Sequence, residues 1–347
     1  MGFSTFEHQD KILVALSGGV DSSVCINILQ SQGFAVEAAV IRFSPEHDAA
    51  VQAAQRAAQQ LGVNLSVVEA GDLFEQAVVQ PFCREYCTGR TPNPCIQCNP
   101  LVKFRLLAEV ADQLGIHLIA TGHYARVEQD EDGIWRIHTA ESKNRDQSYM
   151  LHRLGQDILS RLVLPLGDFE KDDIREIARD LGLSAADAPD SMEICFIPDG
   201  DRAAFIQNHG FESKAGRFIG PDGQDLGPHK GVLNYTVGQR KRLGVAVGQP
   251  LFVQSIRPDG NIQLAVSGGE FFTRLILGDI ATASGQPLPA GNYLVKVRSA
   301  AQAVPCTFDG VDTITFPEPV RAPAPGQSAV FYCGDSVLGG GLIQSAT

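Results

Sequence analysis

Four of the eight cysteines lie close together between Cys83 and Cys98, and a further one, Cys195, stands apart. Such clustering indicates thiol chemistry or metal binding more strongly than packing. Cys95 and Cys98 form a C-x-x-C spacing after two prolines, which restrict the local backbone and so fix where the thiols point. Nearby cations are expected to favour the reactive thiolate form, namely Arg84, Arg90, Lys103 and Arg105.

The other cysteines allow simpler interpretations. For Cys83 and Cys87, two interpretations are open, a metal ligand and a small buried residue. Three further cysteines are expected to be small buried apolar side chains, namely Cys25, Cys306 and Cys333. Since we expect a reducing cytoplasm, a structural disulfide framework is not expected.

A second chemically capable segment is Ser17-Gly18-Gly19-Val20-Asp21-Ser22, which follows an apolar run and precedes a predicted helix. Glycines let the backbone approach an anion, and a helix N-terminus offers free N–H groups and a positive dipole end. The acidic Asp21 suggests indirect holding of Mg²⁺ between phosphates. The segment resembles the PP-loop of ATP pyrophosphatases, and no Walker-type Gly-Lys-Ser/Thr follows. That resemblance implies cleavage of ATP between its α- and β-phosphates, with adenylation of a substrate.

The elements that position these residues alternate between strand and helix in the first half of the chain. Such alternation predicts an α/β fold with a parallel sheet covered on both faces. Strands are predicted at 11–16, 35–42, 64–69 and 117–121, and helices at 22–32, 48–61, 101–114 and 172–181. A β-hairpin is predicted at 124–138, across an acidic turn at 130–133.

Beyond about residue 210, glycine and proline recur at short intervals between short apolar runs such as 294–298, 329–333 and 338–344. This pattern is typical of small antiparallel sheets or a barrel. A chain of 347 residues is too long for one ordinary core. We therefore predict a PP-loop (adenine nucleotide alpha hydrolase-like) catalytic domain at 1–205, a small β-rich central domain at 206–270, and a C-terminal β-barrel-like domain at 271–347.

Charge and hydropathy exclude some classes of protein. A net charge of −12 argues against a generally basic nucleic-acid binder, although one local basic face is compatible with it. The run Arg240-Lys241-Arg242 is either such a face or ordinary solvated surface. No apolar stretch approaches the roughly 18 residues of a membrane span, and the first residues lack a signal-peptide layout. We expect a cytoplasmic protein without membrane contact.

Several motifs extend the resemblance over essentially the whole chain. To the phosphate loop they add GRTPNPC-x-x-CN at 89–99, TGHYAR at 121–126, RDQSY at 145–149, DS at 190–191, CFI at 195–197, GQR at 238–240 and GGG at 339–341. In their order and spacing, the chain is similar to the bacterial tRNA-specific 2-thiouridylase family of the PP-loop superfamily.

The resemblance implies an ATP-dependent sulfurtransferase. Such an enzyme adenylates the C2 carbonyl oxygen of the wobble uridine in certain tRNAs and replaces it with persulfide sulfur, which gives 2-thiouridine, AMP and pyrophosphate. It implies ATP and Mg²⁺ as cofactors, and a sulfur-donor relay protein or a cysteine desulfurase as partner. It further implies that Cys195 carries the sulfur and that Cys98 is the other catalytic cysteine, so that the two can end as a disulfide. A monomer is expected.

Carried over residue by residue, the resemblance gives three groups of site residues. The catalytic residues are Cys98 and Cys195. The expected ATP-binding residues are Ala15, Leu16, Ser17, Gly18, Gly19, Val20, Asp21, Ser22, Ile41 and Gly122. The expected tRNA-binding residues are Asn93, Pro94, Cys95, His123, Arg145, Asp146 and Gln147. The first three of these would border the target base, which must leave its stack to react.

This sequence departs from the family pattern at Cys95, where many relatives carry Asp, so acid–base catalysis is not expected there. With Cys95, Cys98 and Cys195 present, a three-cysteine site for an iron–sulfur cluster is an alternative. Cys83 and Cys87 could instead complete a zinc site with Cys95 and Cys98, which would conflict with a persulfide role. The C-terminal domain is also less basic and aromatic than in relatives after residues 296–298, which leaves its mode of tRNA contact open.

Two other functions are open from the residues alone. One is a PP-loop ligase that adenylates carboxyl or ureido groups, which needs no paired thiols. The other is a metal-holding RNA-binding protein with a degenerate ATP site, against which the intact Ser17, Asp21 and Ser22 argue. Undiminished activity of a Cys98→Ser variant would favour the first, and a lack of ATP consumption with tRNA would favour the second.

Overall fold

The computed structural model describes residues 10–183, 186, 194–197, 199–245 and 247–347. The chain divides into two compact units. The first combines Met1–Glu75, Ile96–Met192 and Asp335–Val337, and the second combines Gln76–Cys95, Glu193–Gly334 and Leu338–Thr347. Residues 187–193, which include the DS motif at 190–191, lie outside the described residues.

The strands in chain order are β1 (Lys11–Ala15), β2 (Ala35–Arg42), β3 (Leu65–Glu69), β4 (Leu118–Thr121), β5 (Ala125–Gln129), β6 (Trp135–Thr139), β7 (Leu162–Val163), β8 (Arg217–Ile219), β9 (Asp225–Pro228), β10 (Leu251–Ile256), β11 (Ile262–Val266), β12 (Phe271–Thr282), β13 (Gly291–Lys296), β14 (Val304–Phe308), β15 (Thr313–Arg321), β16 (Ser328–Cys333) and β17 (Ser336–Ala346). The α-helices are α1 (Val20–Ser31), α2 (Asp48–Leu61), α3 (Gly71–Phe74), α4 (Gln80–Cys87), α5 (Pro94–Cys98), α6 (Phe104–Gln113), α7 (Ser148–Leu151), α8 (Gln156–Leu159), α9 (Lys171–Asp180) and α10 (Arg202–Asn208). Short 3-10 turns lie at Pro45–His47 and Val232–Asn234, and π-helical turns at Glu75–Val79 and Asn99–Lys103.

A parallel sheet organises the first unit, with the strand order β3-β2-β1-β4-β7. Its central strand β1 contains three consecutive fully buried residues, Ile12, Leu13 and Val14, as expected of a strand that is covered on both faces. Buried residues of α1, α2 and α9 join the sheet in one apolar cluster. The predicted PP-loop α/β fold is confirmed, and β2 and α2 have the predicted bounds.

Prolines explain where the helices differ from prediction. The helix predicted at 101–114 is α6, and a π-helical turn that contains Pro100 precedes it. Proline lacks an N–H group and therefore cannot continue the regular α-helical hydrogen bonds. Helix α4 was not predicted, because Pro81 reads as a break in the sequence. Pro81 is the second residue of α4, and a π-helical turn at Glu75–Val79 directly precedes the helix, as one precedes α6 at Pro100.

The predicted hairpin is confirmed as β5 and β6, which pair from Ala125 with Thr139 to Gln129 with Trp135. Arg136 forms ion pairs with two aspartates of the acidic turn. The first unit also includes a short segment from far along the chain. The Asp335 carboxylate forms an ion pair with Arg126 of β5 and a hydrogen bond with Nδ1 of His138 in β6.

The second unit contains two sheets. One has the order β10-β11-β8-β9. In the other, the strands follow the order β12-β15-β14-β13-β16-β17, and β17 pairs back with β12, which closes a six-stranded barrel. Buried side chains such as Leu275, Phe308 and Phe331 fill the core of the barrel. The β-rich central part and the C-terminal barrel are thus confirmed, while the boundaries near residues 205 and 270 stay a prediction.

No helix in the described ranges is long and apolar enough to cross a membrane.

Candidate active site

The phosphate loop joins β1 to α1 in the first unit. Helix α1 begins at Val20, after Gly19 in an extended conformation. The backbone N–H of Ser17 donates to Oγ of Ser22 at 3.2 Å, and the two Oγ atoms are 3.1 Å apart. The hydroxyls of Ser22 and Ser23 both donate to the carbonyl of Gly19, at 3.2 and 3.0 Å. The loop is therefore folded on its own hydroxyls at a helix N-terminus, which is a favourable place for an anion.

Two glycines allow close packing of this loop. Gly18 has a φ of +77°, and a Cβ there would lie 2.6 Å from the carbonyl carbon of Ala53 in α2. Gly122, which follows β4, would place a Cβ 3.0 Å from the carbonyl carbon of Asp21 and from the amide nitrogen of Ser22. Because backbone atoms cannot move aside as a flexible side chain can, neither position accommodates a side chain without displacing the loop.

Lys171, the first residue of α9, pairs with Asp21, and the sequence reasoning missed it. Its Nζ atom lies 2.6 and 2.8 Å from the two carboxylate oxygens, and the Tyr124 hydroxyl donates to the same carboxylate at 2.8 Å. Lys171 is only 6% exposed, so water screens this ion pair little. The signal in the sequence is the lysine at a helix N-terminus, where a cation is unfavourable unless a nearby anion compensates for it.

These contacts bear on the Mg²⁺ role predicted for Asp21. Both carboxylate oxygens accept hydrogen bonds from Lys171, so the charge that was expected to hold the metal is already compensated. Within the described ranges, no group of three or more His, Cys, Asp or Glu side chains could hold a metal ion. The role of Asp21 in holding Mg²⁺ between phosphates stays a prediction. What the structure shows is that its carboxylate fixes Lys171 beside the phosphate loop.

Other predicted nucleotide-binding residues lie along one edge of the sheet. Ala15, at the end of β1, is in register with Ala39 of β2 and with Thr121 of β4. Ile41 lies near the end of β2 and is 8% exposed, and Gly122 directly follows β4. Ligands of open parallel sheets bind outside the carboxyl ends of the strands. The structure thus brings Ala15, Ile41 and Gly122 to the edge that carries the loop, and their contacts with ATP stay a prediction.

His123 follows β4 and is neutral at pH 7. Its Nδ1 atom is 2.6 Å from the Thr121 hydroxyl, and its ring stacks on Phe104 with 5.8 Å between the ring centroids. Burial of the ring, followed by the charge of Lys103, lowers the pKa of His123 well below the ordinary value of 6.5. This lowered pKa disfavours the charged imidazolium, and the predicted contact of His123 with tRNA stays a prediction.

The predicted tRNA segment at 145–147 is held by two of its own side chains. The Asp146 carboxylate accepts from the N–H and the hydroxyl of Ser148 at 3.1 and 2.9 Å. Gln147 bonds to the backbone of Tyr124 twice, as a main-chain donor at 2.8 Å and as a side-chain acceptor at 2.9 Å. Asp146 and Gln147 thus have positioning roles that the sequence did not indicate. They fix the loop that carries Arg145, and the tRNA contacts of all three stay predictions.

In the second unit, the segment before α5 is attached to the loop before β16. The N–H of Thr91 donates to the carbonyl of Pro325 at 2.7 Å, and Nε2 of Gln327 donates to the carbonyl of Thr91 at 2.6 Å. Oδ1 of Asn93 accepts from the N–H of Cys95 at 3.1 Å. Asn93, predicted to border the target base, therefore has a local role in fixing the first turn of α5.

Helix α5 carries both cysteines of the C-x-x-C motif, three positions apart. Pro94 is buried, Cys95 is exposed and Cys98 is 8% exposed. All eight cysteines lie in the described ranges, and none of them forms a disulfide there. The helix thus has one accessible thiol, at Cys95, and one shielded thiol, at Cys98.

Cys195 is exposed in the second unit, beside an aromatic anchor. The adjacent Phe196 is buried, and its ring lies 5.3 Å from that of Phe82 in α4 and 5.3 Å from that of Phe205 in α10, between centroids. This anchor fixes the backbone on one side of Cys195. Its thiol is therefore accessible on a well-attached segment, as a sulfur carrier requires.

Four cations were expected to make the surroundings of the cysteine cluster electropositive, and for two of them this expectation is wrong. Nε of Arg90 lies 2.5 Å from Glu85, and Nε of Arg105 lies 2.9 Å from Glu109. Since each of these positive charges faces a carboxylate, it contributes little to the stabilisation of a nearby thiolate.

Cys83 and Cys87 give no support to the zinc alternative. Cys83 is fully buried in α4, and the thiol of Cys87 donates to the carbonyl of Glu212 at 3.5 Å. Burial raises the pKa of Cys87, although Lys214 opposes this, and a raised pKa disfavours the thiolate that zinc would need. The residues in the described ranges form no metal-holding group, and the three-cysteine cluster of Cys95, Cys98 and Cys195 stays a prediction.

The remaining cysteines follow the prediction in two cases of three. Cys25 and Cys306 are buried, and burial raises the pKa of Cys306 to about 11. Cys333 is exposed, so the expectation of a buried side chain is wrong there. It is the last residue of β16, where the strand leaves the barrel core and a turn begins.

Family models match the chain in three consecutive parts. Residues 10–199 match the tRNA methyl transferase HUP domain, residues 203–267 the tRNA methyl transferase PRC-barrel domain, and residues 273–343 the aminomethyltransferase beta-barrel domain. The first match alone covers more than half of the chain.

Curated relatives match over nearly the full length. The tRNA-specific 2-thiouridylase MnmA of Carboxydothermus hydrogenoformans is 40% identical over 97% of this chain and 98% of its own length. The protein of the same name in Clostridium acetobutylicum is 38% identical over 96% of this chain and 99% of its own length. The one in Trichlorobacter lovleyi is 40% identical over 97% of this chain and 98% of its own length. This similarity, together with the confirmed PP-loop fold, shows that the chain belongs to the tRNA-specific 2-thiouridylase family.

Proposed function

We propose that this chain is an ATP-dependent tRNA-uridine 2-sulfurtransferase, which converts the wobble uridine of tRNA to 2-thiouridine and releases AMP and pyrophosphate. The observation that carries the proposal is Lys171, paired with Asp21 beside a phosphate loop, in a member of this family. Asp21 holds Lys171 at this place, and adenylyl transfer would draw its ammonium group toward the departing pyrophosphate, on which negative charge develops.

The proposed reaction begins with activation of the base. The C2 oxygen of uridine attacks the α-phosphorus of ATP, and the bond to pyrophosphate breaks. Adenylation turns that oxygen into a good leaving group. ATP would lie against the phosphate loop, Ile41 and Gly122, and the target base beside Asn93, Pro94 and Cys95.

Sulfur transfer then uses both catalytic cysteines. The terminal sulfur of a Cys195 persulfide attacks C2, and AMP leaves with the former carbonyl oxygen. The thiolate of Cys98 attacks the Cys195 sulfur, the sulfur–sulfur bond breaks, and a thiocarbonyl remains on the base while a Cys98–Cys195 disulfide forms. The transferred sulfur gains two electrons in this step, which is why two thiols are required. A thiol reductant restores them.

Cofactors and partners complete the proposal. Mg²⁺ would enter with the phosphates of the nucleotide, since the residues of the described ranges form no site of their own for it. A sulfur-donor relay protein or a cysteine desulfurase would load Cys195, whose exposure suits such a donor. No step passes through an iron–sulfur cluster. The enzyme would act as a cytoplasmic monomer, with domain boundaries near residues 205 and 270.

A single-turnover experiment tests the proposal. Protein purified without oxygen is analysed for iron, zinc and sulfide, then loaded with persulfide and mixed with Mg·ATP and unmodified tRNA. We expect 2-thiouridine and AMP in equal amounts, and no AMP without tRNA. AMP formation without 2-thiouridine would favour the ligase alternative. Methylated tRNA from a methyl donor, with no use of ATP, would favour the methyl transfer that the names of the family models mention.

A further inference from the structure

A basic cleft of about 590 Å³ lies within the second unit. Its lining includes four cationic side chains, from Arg202, Lys230, Lys241 and Arg242, and no acidic side chain of the described ranges. The net charge of the whole chain is −12, so this local surplus of positive charge runs against the composition. A polyanion that approaches an acidic protein is attracted to such a place.

The cationic side chains of this cleft form only some of the hydrogen bonds and ion pairs that they could form within the protein. Arg202 donates to the Tyr86 hydroxyl at 3.2 Å and to the carbonyl of Leu233 at 2.9 Å. Its buried Nε atom has no hydrogen-bond partner among the residues that the structure describes. In the part of the chain that the structure describes, Lys230, Lys241 and Arg242 have no carboxylate within ion-pair distance. The cleft therefore has cationic groups that an anion can bind.

The backbone of the cleft is fixed before any ligand binds. Gln239 closes the turn at 236–241 with its side chain, which accepts from the N–H of Thr236 at 3.0 Å and donates to the carbonyl of Lys241 at 3.0 Å. The same turn is attached to β10, because the N–H of Val253 donates to the carbonyl of Gln239 at 2.9 Å. Such preorganisation lowers the entropic cost of binding.

Arg242 is held in a strained conformation at the rim of this cleft. Its φ is +62°, in the left-handed region that glycine adopts without cost and other residues adopt rarely. Gly244, two residues later, has a φ of +74°, so the left-handed conformation recurs in this segment. An arginine that persists where glycine is favoured points to a role for its side chain.

We propose that this cleft binds the phosphodiester backbone of the RNA substrate, an inference that rests on the proposed function. Four cationic side chains line one cleft, and a run of phosphates can neutralise several of them at once, which suits an RNA backbone. Asn234 and Thr236 add neutral polar groups that can bond to phosphate or ribose oxygens. Gln239 of the GQR motif at 238–240 thereby gains a structural purpose, because its side chain holds the turn that carries Lys241 and Arg242.

The test uses the full-length chain with Lys230→Gln, Lys241→Gln and Arg242→Gln, singly and combined. We expect the triple variant to bind tRNA at least tenfold more weakly at low salt. The slope of log affinity against log salt concentration is expected to fall by about 2, at roughly 0.7–0.9 for each phosphate that the variant no longer neutralises. Arg240→Gln is the matched control, because Arg240 lies in the same turn but does not line the cleft, and it should change neither quantity.

Arg242→Gly separates function from folding. It removes the charge and the backbone strain together, so we expect unchanged or higher stability to urea together with weaker tRNA binding. Wild-type affinity and an unchanged salt slope in the triple variant would overturn the inference. Normal tRNA binding by the triple variant with slower sulfur delivery from an acidic donor protein would overturn it as well. A wild-type chain that binds tRNA through the cleft but never forms 2-thiouridine would refute the proposed function alone.

Discussion

The Nζ atom of Lys171 lies 2.6 and 2.8 Å from the two carboxylate oxygens of Asp21, although 150 positions separate the residues in the chain. One partner belongs to the phosphate loop and the other begins α9. The Tyr124 hydroxyl joins them, so three distant segments meet at one carboxylate. Their separation in the sequence explains why a local motif could not indicate the lysine.

Replacement of Lys171 by methionine tests this pair. We expect a loss of about 1–3 kcal/mol in the free energy of unfolding, because the Asp21 carboxylate loses its cation in a partly buried place. We also expect tRNA-dependent AMP formation to fall about 10²-fold or more, by analogy with the removal of one electrostatic group from a reaction site. Urea unfolding and single-turnover AMP release measure the two effects.

Two further variants show whether the effects of Lys171→Met come from the loss of this lysine. Asp172→Asn changes an exposed neighbour on α9 and should leave stability and AMP formation as they are. Asp21→Asn combined with Lys171→Met removes both charges, and we expect it to recover stability but not AMP formation. A wild-type rate of AMP release in Lys171→Met would remove the lysine from the mechanism.

The two catalytic cysteines are tested by serine replacements. Cys98→Ser and Cys195→Ser are each expected to abolish 2-thiouridine, because one lacks the resolving thiol and the other lacks the sulfur carrier. AMP formation should persist in both, since adenylation uses neither thiol. Nucleoside analysis of digested tRNA and AMP release measure the two steps. Cys333→Ser, at another exposed thiol, is the matched control, and full thiolation by either catalytic variant would sink the two-cysteine mechanism.

Gly18 gives a steric test of the phosphate loop. Gly18→Ala should cost about 1–2 kcal/mol for its left-handed conformation and about 1–3 kcal/mol more for the overlap with Ala53. It should also weaken ATP binding, because the loop must move. Gly33→Ala is the control, since Gly33 has a φ of +96° and nothing within 4 Å of an added Cβ. Equal losses of stability in the two variants would show that the overlap is unimportant.

His123 makes stability depend on pH in a defined direction. Burial lowers its pKa in the folded protein below the ordinary value of 6.5, so the unfolded chain binds a proton first as pH falls. The free energy of unfolding should therefore be unaffected by this group above that value and decrease below it. We expect His123→Gln to lose less stability than the wild type between pH 7.5 and 5.5 in urea unfolding. An identical loss in both would contradict the prediction, and His47, whose pKa is also lowered by burial, contributes equally to both.

Much of the fold follows from local patterns. Strand β1 is predictable from its run of adjacent apolar residues. Helix α2 is predictable from its alanine-rich face and from Gly62, which ends it in a left-handed conformation. The start of α6 and the existence of α4 could not be predicted in this way, because the effect of a proline depends on whether it lies in the first turn of a helix or beyond it.

The site was predictable in part. The phosphate loop is contiguous and lies between a strand and a helix, as predicted. Its serine hydroxyls bond within the loop and Gly18 packs against α2, while anion binding stays a prediction. The positioning roles of Asp146 and Gln147 were missed, because their partners depend on how the loop folds. The error for Arg90 has the same origin, since an arginine attracts thiolates only where no carboxylate lies closer.

The inclusion of residues 335–337 in the first unit has a consequence for biosynthesis. Chains are made from the N-terminus, and domains commonly fold as they emerge from the ribosome. Here the carboxylate that pairs with Arg126 and His138 is translated about 200 positions after them. We therefore expect the hairpin of the first unit to gain this carboxylate only after most of the barrel has been translated, so that the first unit completes its folding late in synthesis.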